Sequence, residues 1–398
     1  MNREDFPMIS NDLIYFDNSA TTFKPKCVLN AITDYYTKYT SNAHRGDYKN
    51  SLKVDMLYEE TRDLIKDFIN ASSSREIVFT SGTTHSLNMV ASCFARYNLN
   101  KEDEILITKT EHASNVLPWI ELSKDIGVKI KYIPLDKDLK LKPDALKKMI
   151  TPKTKLVSLA HVTNTVGDVR DLKEIGQILK EKNIYFVVDA AQSAGHRKID
   201  VKEMNIDFLG FSGHKMLGPT GIGVLYGKEK LLNKMHAMNF GGGMNNFFES
   251  DGETSYKEIP IKFEAGTQNI EGVLGLRSAI IYLNKVGLDN IEKHDKELRD
   301  YFITKLSKID NIDILNKNSD AGNILFNVKG VFPQDTAIYL DHYNICVRAG
   351  NHCAKLLKDE LGIKNTCRVS FYLYNTKEEI DKLIEALKNS KNIFEVVI

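Results

Sequence analysis

The 398 residues carry 54 Lys+Arg against 53 Asp+Glu, a formal charge of +1, and 42% of them are hydrophobic. So even a balance, with no block of one sign, gives no basis for a nucleic-acid partner or an anionic membrane surface. No apolar run approaches the roughly 20 residues of a membrane span. The length is enough for a sizeable core and, at roughly 150 residues per domain, for more than one domain. The opening MNREDFPMIS lacks a basic stretch followed by an apolar one, so no secretory leader is expected. Five cysteines at irregular spacing (Cys27, Cys93, Cys346, Cys353, Cys367) suit a reducing, cytoplasmic compartment better than a disulfide framework. With no CxxC pair and no HExxH, no metal site is expected.

Along the chain, IYFDN (14–18) reads as a short strand, followed by a small-residue loop to Thr22 and a helix over Cys27–Tyr39. SNAHRGDY (41–48) is a polar loop carrying His44 and Arg45. From Val54 to Ile69 apolar positions recur at helical spacing. Strands then alternate with helices. Expected strands are Glu76–Phe79, Glu104–Thr108, Val128–Ile133, Lys155–Ala160 and Ile184–Val188. Expected helices run from Ser81 to about Phe94, over Val116–Ile126, Pro143–Ile150 and Leu172–Lys182. Such alternation implies parallel pairing, right-handed crossovers and a sheet covered on both faces.

The stretch IDFLGFSGHKMLGPTGIGVLY (206–226) reads as strand, turn, strand. Gly218-Pro219-Thr220-Gly221 forces a tight turn. Lys215 therefore sits just past a strand end, where desolvation and neighbouring cations lower an amine's pKa and free it as a nucleophile. A surface turn lysine is the ordinary alternative. Residues 241–263, starting at Gly241-Gly242-Gly243, read as a long irregular loop, of a kind that is functional or meets a partner subunit. Two helices follow (Gly272–Lys285 and Asp289–Ser307), then strand-like stretches at Ile312–Leu315, Gly322–Asn327 and Ile345–Arg348, with helices at Gln334–His342 and Lys377–Lys388. The expected division is a large domain over 17–284 and a smaller α+β domain over 285–398, joined by the N-terminal arm 1–16.

Polar clusters close several of the strands: Thr83/Thr84, His112/Asn115, Asn164, Asp189/Gln192 and Ser212/His214/Lys215. Each alone is an ordinary cap or turn. Open α/β sheets bind ligands at the carboxyl ends of their strands, and five clusters at one edge are hard to assign to chance. Ser81-Gly82-Thr83-Thr84 places free N–H groups where a phosphate could sit, or is simply a helix cap. Asp189, at the end of a buried strand, is a partner for a protonated ring nitrogen or for a cap or salt bridge. A lysine amine, an acid for a pyridinium nitrogen and a phosphate-holding loop together are what pyridoxal phosphate needs. His112 is a candidate to stack on its ring.

The segments FDNSATT (16–22), AHRG (43–46), FTSGTTHSLN (79–88), TEHASNVLPW (110–119), HVTNTVG (161–167), VVDAAQSAGH (187–196), FSGHKMLGPTGIGVLYGK (211–228), FEAGTQN (263–269), VRAGNHCA (347–354) and CRVSFYLYNT (367–376) run in one order over nearly the whole chain. They resemble the group II (SufS-like) cysteine desulfurases, within the class V aminotransferase family of fold-type I pyridoxal-phosphate enzymes. The resemblance implies an α/β large domain with a mainly parallel, seven-stranded-type sheet and a smaller α+β domain carrying a catalytic cysteine loop. It implies pyridoxal 5′-phosphate as cofactor and Lys215 as its Schiff-base lysine. His112 would stack on the ring, Asp189 would pair its nitrogen and Gln192 would donate to its oxygen. Thr83, Thr84, Ser212 and His214 would hold the phosphate, with Thr267 reaching across from the other subunit of a homodimer. Arg368 would clamp the substrate carboxylate, with Asn164, His44 and Arg348 near it.

Cys353 lies in a polar, glycine-containing loop where exposure and a neighbouring imidazole favour a thiolate. By the resemblance it takes sulfur from L-cysteine as a persulfide, leaving L-alanine. The sulfur would pass to a SufU- or SufE-like acceptor for iron–sulfur cluster assembly. Cys27, Cys93, Cys346 and Cys367 read as structural. Asn351 stands where the group commonly has a second histidine. The other readings are a selenocysteine lyase, a class V aminotransferase, and a pyridoxal-phosphate-binding regulatory protein without turnover.

Overall fold

The computed structural model describes residues 2–362, 364–390 and 393. The chain enters through a two-residue strand, β1 (Ile14–Tyr15). It then builds β2 (Ile77–Thr80), β3 (Glu104–Ile107), β4 (Lys129–Tyr132), β5 (Thr154–Ala160), β6 (Tyr185–Asp189), β7 (Phe208–Ser212) and β8 (Gly223–Gly227). These last seven form one sheet in the order β2-β8-β7-β6-β5-β3-β4. Every residue of β2, β3, β7 and β8 is buried, as expected for strands covered on both faces, whereas edge strand β4 is partly exposed.

The pairing is parallel from β7 through β6, β5 and β3 to β4. Strand β8 runs against both of its neighbours, β7 and β2, so the sheet is mainly parallel, as the resemblance implies, and 206–226 is the expected strand, turn and strand. The reason lies in the turn. Gly213 N–H bonds to Ile222 O at 2.9 Å, and a connection that short can only return the chain antiparallel. At Gly223 a Cβ would lie 2.5 Å from Gly82 Cα, so glycine is what lets β8 pass beside the start of the helix that follows β2.

Three further expectations are adjusted. The helix expected from Val54 begins earlier and spans Lys49–Phe68. The helix after Ser81 runs Thr83–Met89 and widens into a π-helical stretch at Val90–Ala95. The segment 241–263 is not structureless: it carries an exposed antiparallel hairpin, β9 (Asn245–Phe248) with β10 (Thr254–Tyr256).

Strands β11 (Ile312–Ile314), β12 (Asn323–Val328), β13 (Ile345–Cys346), β14 (Arg348–Gly350) and β15 (Thr366–Ser370) follow. β11-β12-β15-β14 is a four-stranded antiparallel sheet. The single strand expected over Ile345–Arg348 is divided, because β13 leaves that sheet and pairs in parallel with β1. Helices Leu288–Leu306 and Lys377–Lys388 cover this sheet, the second opened by a Thr376/Glu379 capping box. A separate apolar core forms there around Phe16, Phe302, Phe326, Val369, Phe371 and Leu383. Cys93 and Cys367 are buried, and Cys346 is half-buried. Cys27 is exposed, against the expectation that it is a core residue, because its helix Lys26–Lys38 turns Val28 and Tyr35 inward instead.

Candidate active site

The carboxyl ends of β2, β3, β5, β6 and β7 open on one cleft of about 210 Å³. Thr83, Thr84, His112, Asn164, Asp189, Gln192, Ser212, His214 and Lys215 all line it, together with Arg348 and Arg368 from the antiparallel sheet. Ser19, Ser114 and His352 join them. Asn115 does not. Its side chain turns inward to Glu111 and Trp119.

Lys215 ends the short turn Gly213–Lys215 after β7. Burial lowers its pKa to about 8, with Arg368 and Arg348 pushing the same way and Asp189 pulling against them. Asp189 closes β6, and burial raises its carboxyl to about 6, against a hydrogen bond from Ala191 N–H at 2.9 Å and the Lys215 charge. Ala191 N–H therefore fixes one carboxylate oxygen.

His112 is held by its own turn. Ser114 N–H donates to His112 Nδ1 at 3.1 Å, which makes Nδ1 the lone-pair nitrogen and puts the proton of the neutral ring on Nε2. Burial, then Lys215 and the two arginines, lower the imidazole to about 4, so it is neutral across the physiological range. Behind it, Arg170 and Glu111 pair at 2.5 Å with both side chains fully buried, and Glu111 also accepts from Ala160 N–H at 2.7 Å. This ties the β3 and β5 loops together one residue from His112. Ser212 Oγ meets Thr83 Oγ1 at 2.7 Å and accepts from Thr83 N–H at 2.8 Å. Thr84 Oγ1 meets Ser114 Oγ at 2.7 Å. His214 is lowered to about 4 by burial and by the neighbouring Lys215 and Lys24.

Arg368 reaches in from β15, opposite Arg348 in register on β14. Its two terminal nitrogens donate to Asn164 O and Asp17 Oδ1, both at 2.9 Å. Arg368 Nε and Asn164 Oδ1 are both buried without a hydrogen-bond partner. Two such groups at one cleft are the mark of a polar ligand site.

Cys353 is exposed on the loop after β14. Its carbonyl accepts from Ala113 N–H at 2.7 Å, and the preceding carbonyl of His352 accepts from Asn164 Nδ2 at 2.7 Å. The loop backbone is thus pinned to the rim beside His112 while the thiol stays in solvent. His352 and Cys353 both take left-handed φ, +51° and +56°. Asn351 Oδ1 accepts from Cys353 N–H at 3.0 Å, closing that turn. His352 Nε2 meets Thr366 O and Oγ1, and burial lowers the ring to about 3.

His44 and Thr267 do not line the cleft within this chain. His44 bonds to Glu59 at 3.3 Å, which raises its pKa. Thr267 is exposed and accepts from Asn42 Nδ2 at 3.2 Å. Sequence reasoning passed over Ser114 and took the His352 imidazole as a neighbour favouring a Cys353 thiolate, whereas that ring is buried against Thr366 and lowered to about 3. Each belongs to a recognisable motif, TEHASN and RAGNHCA, but its place depends on which way its loop turns. Among the described residues no group of three or more His, Cys, Asp or Glu is placed to hold a metal ion. No helix among them is long and apolar enough to cross a membrane.

The family model described as "Aminotransferase class-V" matches residues 14–383. A protein of Halalkalibacterium halodurans named "Probable cysteine desulfurase" is 45% identical over 394 residues, covering 98% of this chain and 97% of its own. One of Staphylococcus aureus with the same name is 44% identical, covering 98% and 96%. Among solved structures, an apo cysteine desulfurase of Thermococcus onnurineus superposes with a TM-score of 0.93 at 40% identity, over 97% of this chain and 96% of that one. The cysteine desulfurase CsdA of Escherichia coli, in an S-sulfonic acid form, gives 0.92 at 35% identity, over 100% and 98%.

Proposed function

Because the chain belongs to the aminotransferase class-V family, we propose that it is a pyridoxal-phosphate-dependent cysteine desulfurase with Cys353 as its sulfur acceptor. The observation that carries the reading is one rim with two unlike nucleophiles. A buried Lys215 amine is lowered to about 8, and an exposed Cys353 has its backbone fixed to the His112 turn.

The cleft fits pyridoxal 5′-phosphate. Lys215 offers an amine able to bond its aldehyde, Asp189 a buried carboxylate for its ring nitrogen, and Thr83, Thr84, Ser212 and His214 polar groups for its phosphate. Bound there, the cofactor supplies an electron sink for charge developed at the substrate Cα.

The chain's own groups then divide the work. Arg368, with its buried unpartnered Nε, holds the substrate carboxylate, and Asn164 Oδ1 is free to accept from the substrate. Lys215, released when substrate takes its place, carries the Cα proton, for which a pKa of about 8 suits working pH. His112 presents a neutral ring whose Nε2–H can donate into the cleft. Gln192 Nε2 donates to Ser19 O at 2.9 Å, which holds the amide at the cleft wall. Cys353 thiolate attacks the substrate sulfur. The C–S bond breaks, the new S–S bond leaves a persulfide on Cys353, and L-cysteine departs as L-alanine. A thiol acceptor then takes the outer sulfur.

A SufU- or SufE-like acceptor, a homodimer in which Thr267 serves the partner's site, and a cytoplasmic setting complete the reading. In support, Thr267 is exposed and away from its own cleft, and all five cysteines are free. We also divide the chain at Gly287, between helices Ile270–Val286 and Leu288–Leu306, near the boundary of 17–284 and 285–398. Residues 394–398 of the second unit lie outside the described residues.

The test is alanine formation from L-cysteine by the yellow holoenzyme, with and without a reducing thiol. One equivalent without thiol, and continuous turnover with it, is expected. Cys353→Ala should keep the cofactor and lose the turnover. Normal turnover in that variant would remove Cys353 from the reaction.

A further inference from the structure

The short segment between β1 and helix Lys26–Lys38 meets the Lys215 turn in an unusual way. Four donors converge on a single carbonyl, that of His214: Thr22 N–H at 3.0 Å, Thr21 Oγ1 at 3.1 Å, Lys24 Nζ at 3.1 Å and Thr22 Oγ1 at 3.2 Å. A peptide oxygen has two lone pairs, so this one is oversubscribed. It belongs to the peptide that joins His214 to Lys215. Thr22 Oγ1 also accepts from Leu217 N–H at 3.1 Å, gripping the turn two residues beyond Lys215, where φ is +67°.

Lys24 is the costly member. Its amine bonds to Thr21 Oγ1, Thr22 O and His214 O, all neutral oxygens, and it makes no ion pair among the described residues. Burial lowers it to about 8. An ammonium desolvated without a carboxylate is tolerated only where its hydrogen bonds do a job an apolar residue of the same length could not. At the other end the same segment is tied to the substrate-facing sheet. Asp17 bonds Arg368, and Asn18 Nδ2 donates to Ser370 O at 2.7 Å.

We propose that Lys24, with Thr21 and Thr22, is a clamp on the His214 carbonyl that sets where the Lys215 amine stands, and that Lys24 is a positioning residue of this enzyme. The proposal rests on Lys215 being the cofactor-bonded lysine. Lys24 does not line the cleft; it meets the Lys215 turn at the His214 carbonyl, and Lys24→Arg, which keeps the charge felt by the His214 ring, is compared with Lys24→Met for that reason. Releasing the clamp lets the amine and its bonded cofactor swing, which alters both the asymmetry around the cofactor and the basicity of the bond to it.

The experiment uses holoenzymes of the parent, Lys24→Met, Lys24→Arg and Thr22→Val. It measures the pH midpoint of the visible absorbance of the lysine-bound cofactor, its visible circular dichroism, and kcat and KM for L-cysteine. Lys24→Met should move the midpoint by about half a unit or more and halve the dichroism. Its kcat should fall about tenfold at a nearly unchanged KM, and Lys24→Arg should recover most of each. A Lys24→Met protein with the parent's midpoint and dichroism overturns the clamp, even if its activity has dropped. Should Lys24→Met fail to fold, Thr22→Val is read on the same two signals, and an unchanged midpoint there overturns it equally. A parent without a lysine-linked visible band would overturn the cofactor role of Lys215, and the clamp with it.

Discussion

Two turns frame the cleft, and they are built in opposite ways. The Lys215 turn is buried and gripped from several sides by Thr21, Thr22 and Lys24, and its amine is lowered to about 8 by desolvation. The Cys353 loop is pinned through its backbone by Ala113, Asn164 and Asn351 and through the His352 ring by Thr366, while its thiol is exposed. On the function proposed above, the contrast follows from what each nucleophile must do. An amine that works on a bound cofactor gains from desolvation and fixed geometry. A thiol that must hand its cargo to another molecule has to meet solvent. The sheet edge supplies the first environment, where strand ends are buried on both faces. The second needs a loop, and two successive left-handed residues, His352 and Cys353, turn the thiol outward.

The widest way to break the contrast is Lys215→Ala. Loss of the lysine-linked absorbance and a fall in alanine formation of roughly 10³-fold or more are expected. A variant turning over at the parent's rate would mean the fixed amine is dispensable. Arg368→Lys comes next. Losing the bidentate fork should raise KM for L-cysteine by about 10- to 100-fold with kcat less affected. A KM within twofold of the parent would take the carboxylate away from Arg368.

The third test is pH. The Lys215 pKa lies below the ordinary 10.5, at about 8, so its reactive free base grows as pH rises and is nearly complete above pH 9. Uptake of pyridoxal phosphate by the apoprotein should therefore speed up about tenfold from pH 7 to pH 9 and then level off. A rate still climbing tenfold per unit toward pH 10 would mean the amine is not desolvated. The smallest effect is expected at Asn351→His, where an imidazole can replace the side-chain acceptor for Cys353 N–H. Sulfur transfer should change by no more than about threefold, and a larger loss would show that the amide itself shapes the loop.

Much of this architecture is legible in the chain. Short apolar runs closing on Thr83, His112, Asn164, Asp189 and Lys215 give both the sheet and the edge where its polar groups gather, because strands buried on both faces must change character abruptly where they end. The antiparallel β8 is legible in the glycine-rich turn within 206–226 rather than in the strand–helix alternation, since Gly213 and Ile222 close a connection too short for a crossover. The β9–β10 hairpin escapes because Phe247 and Phe248 are exposed and mark no core face. Lys24 and the Glu111–Arg170 pair escape for another reason. A buried charge and a surface charge are written with the same letter, and only the fold decides between them. His44 and Thr267 stand apart from the cleft of their own chain, a placement that only the fold reveals.

The most direct measurement is the mass of each cysteine-containing peptide after the holoenzyme meets L-cysteine without a reducing thiol. One added sulfur atom on Cys353, in step with one equivalent of alanine, is the expected result. Alanine formed with Cys353 unmodified, or with the sulfur on exposed Cys27 instead, would contradict the assignment of the sulfur-bearing residue.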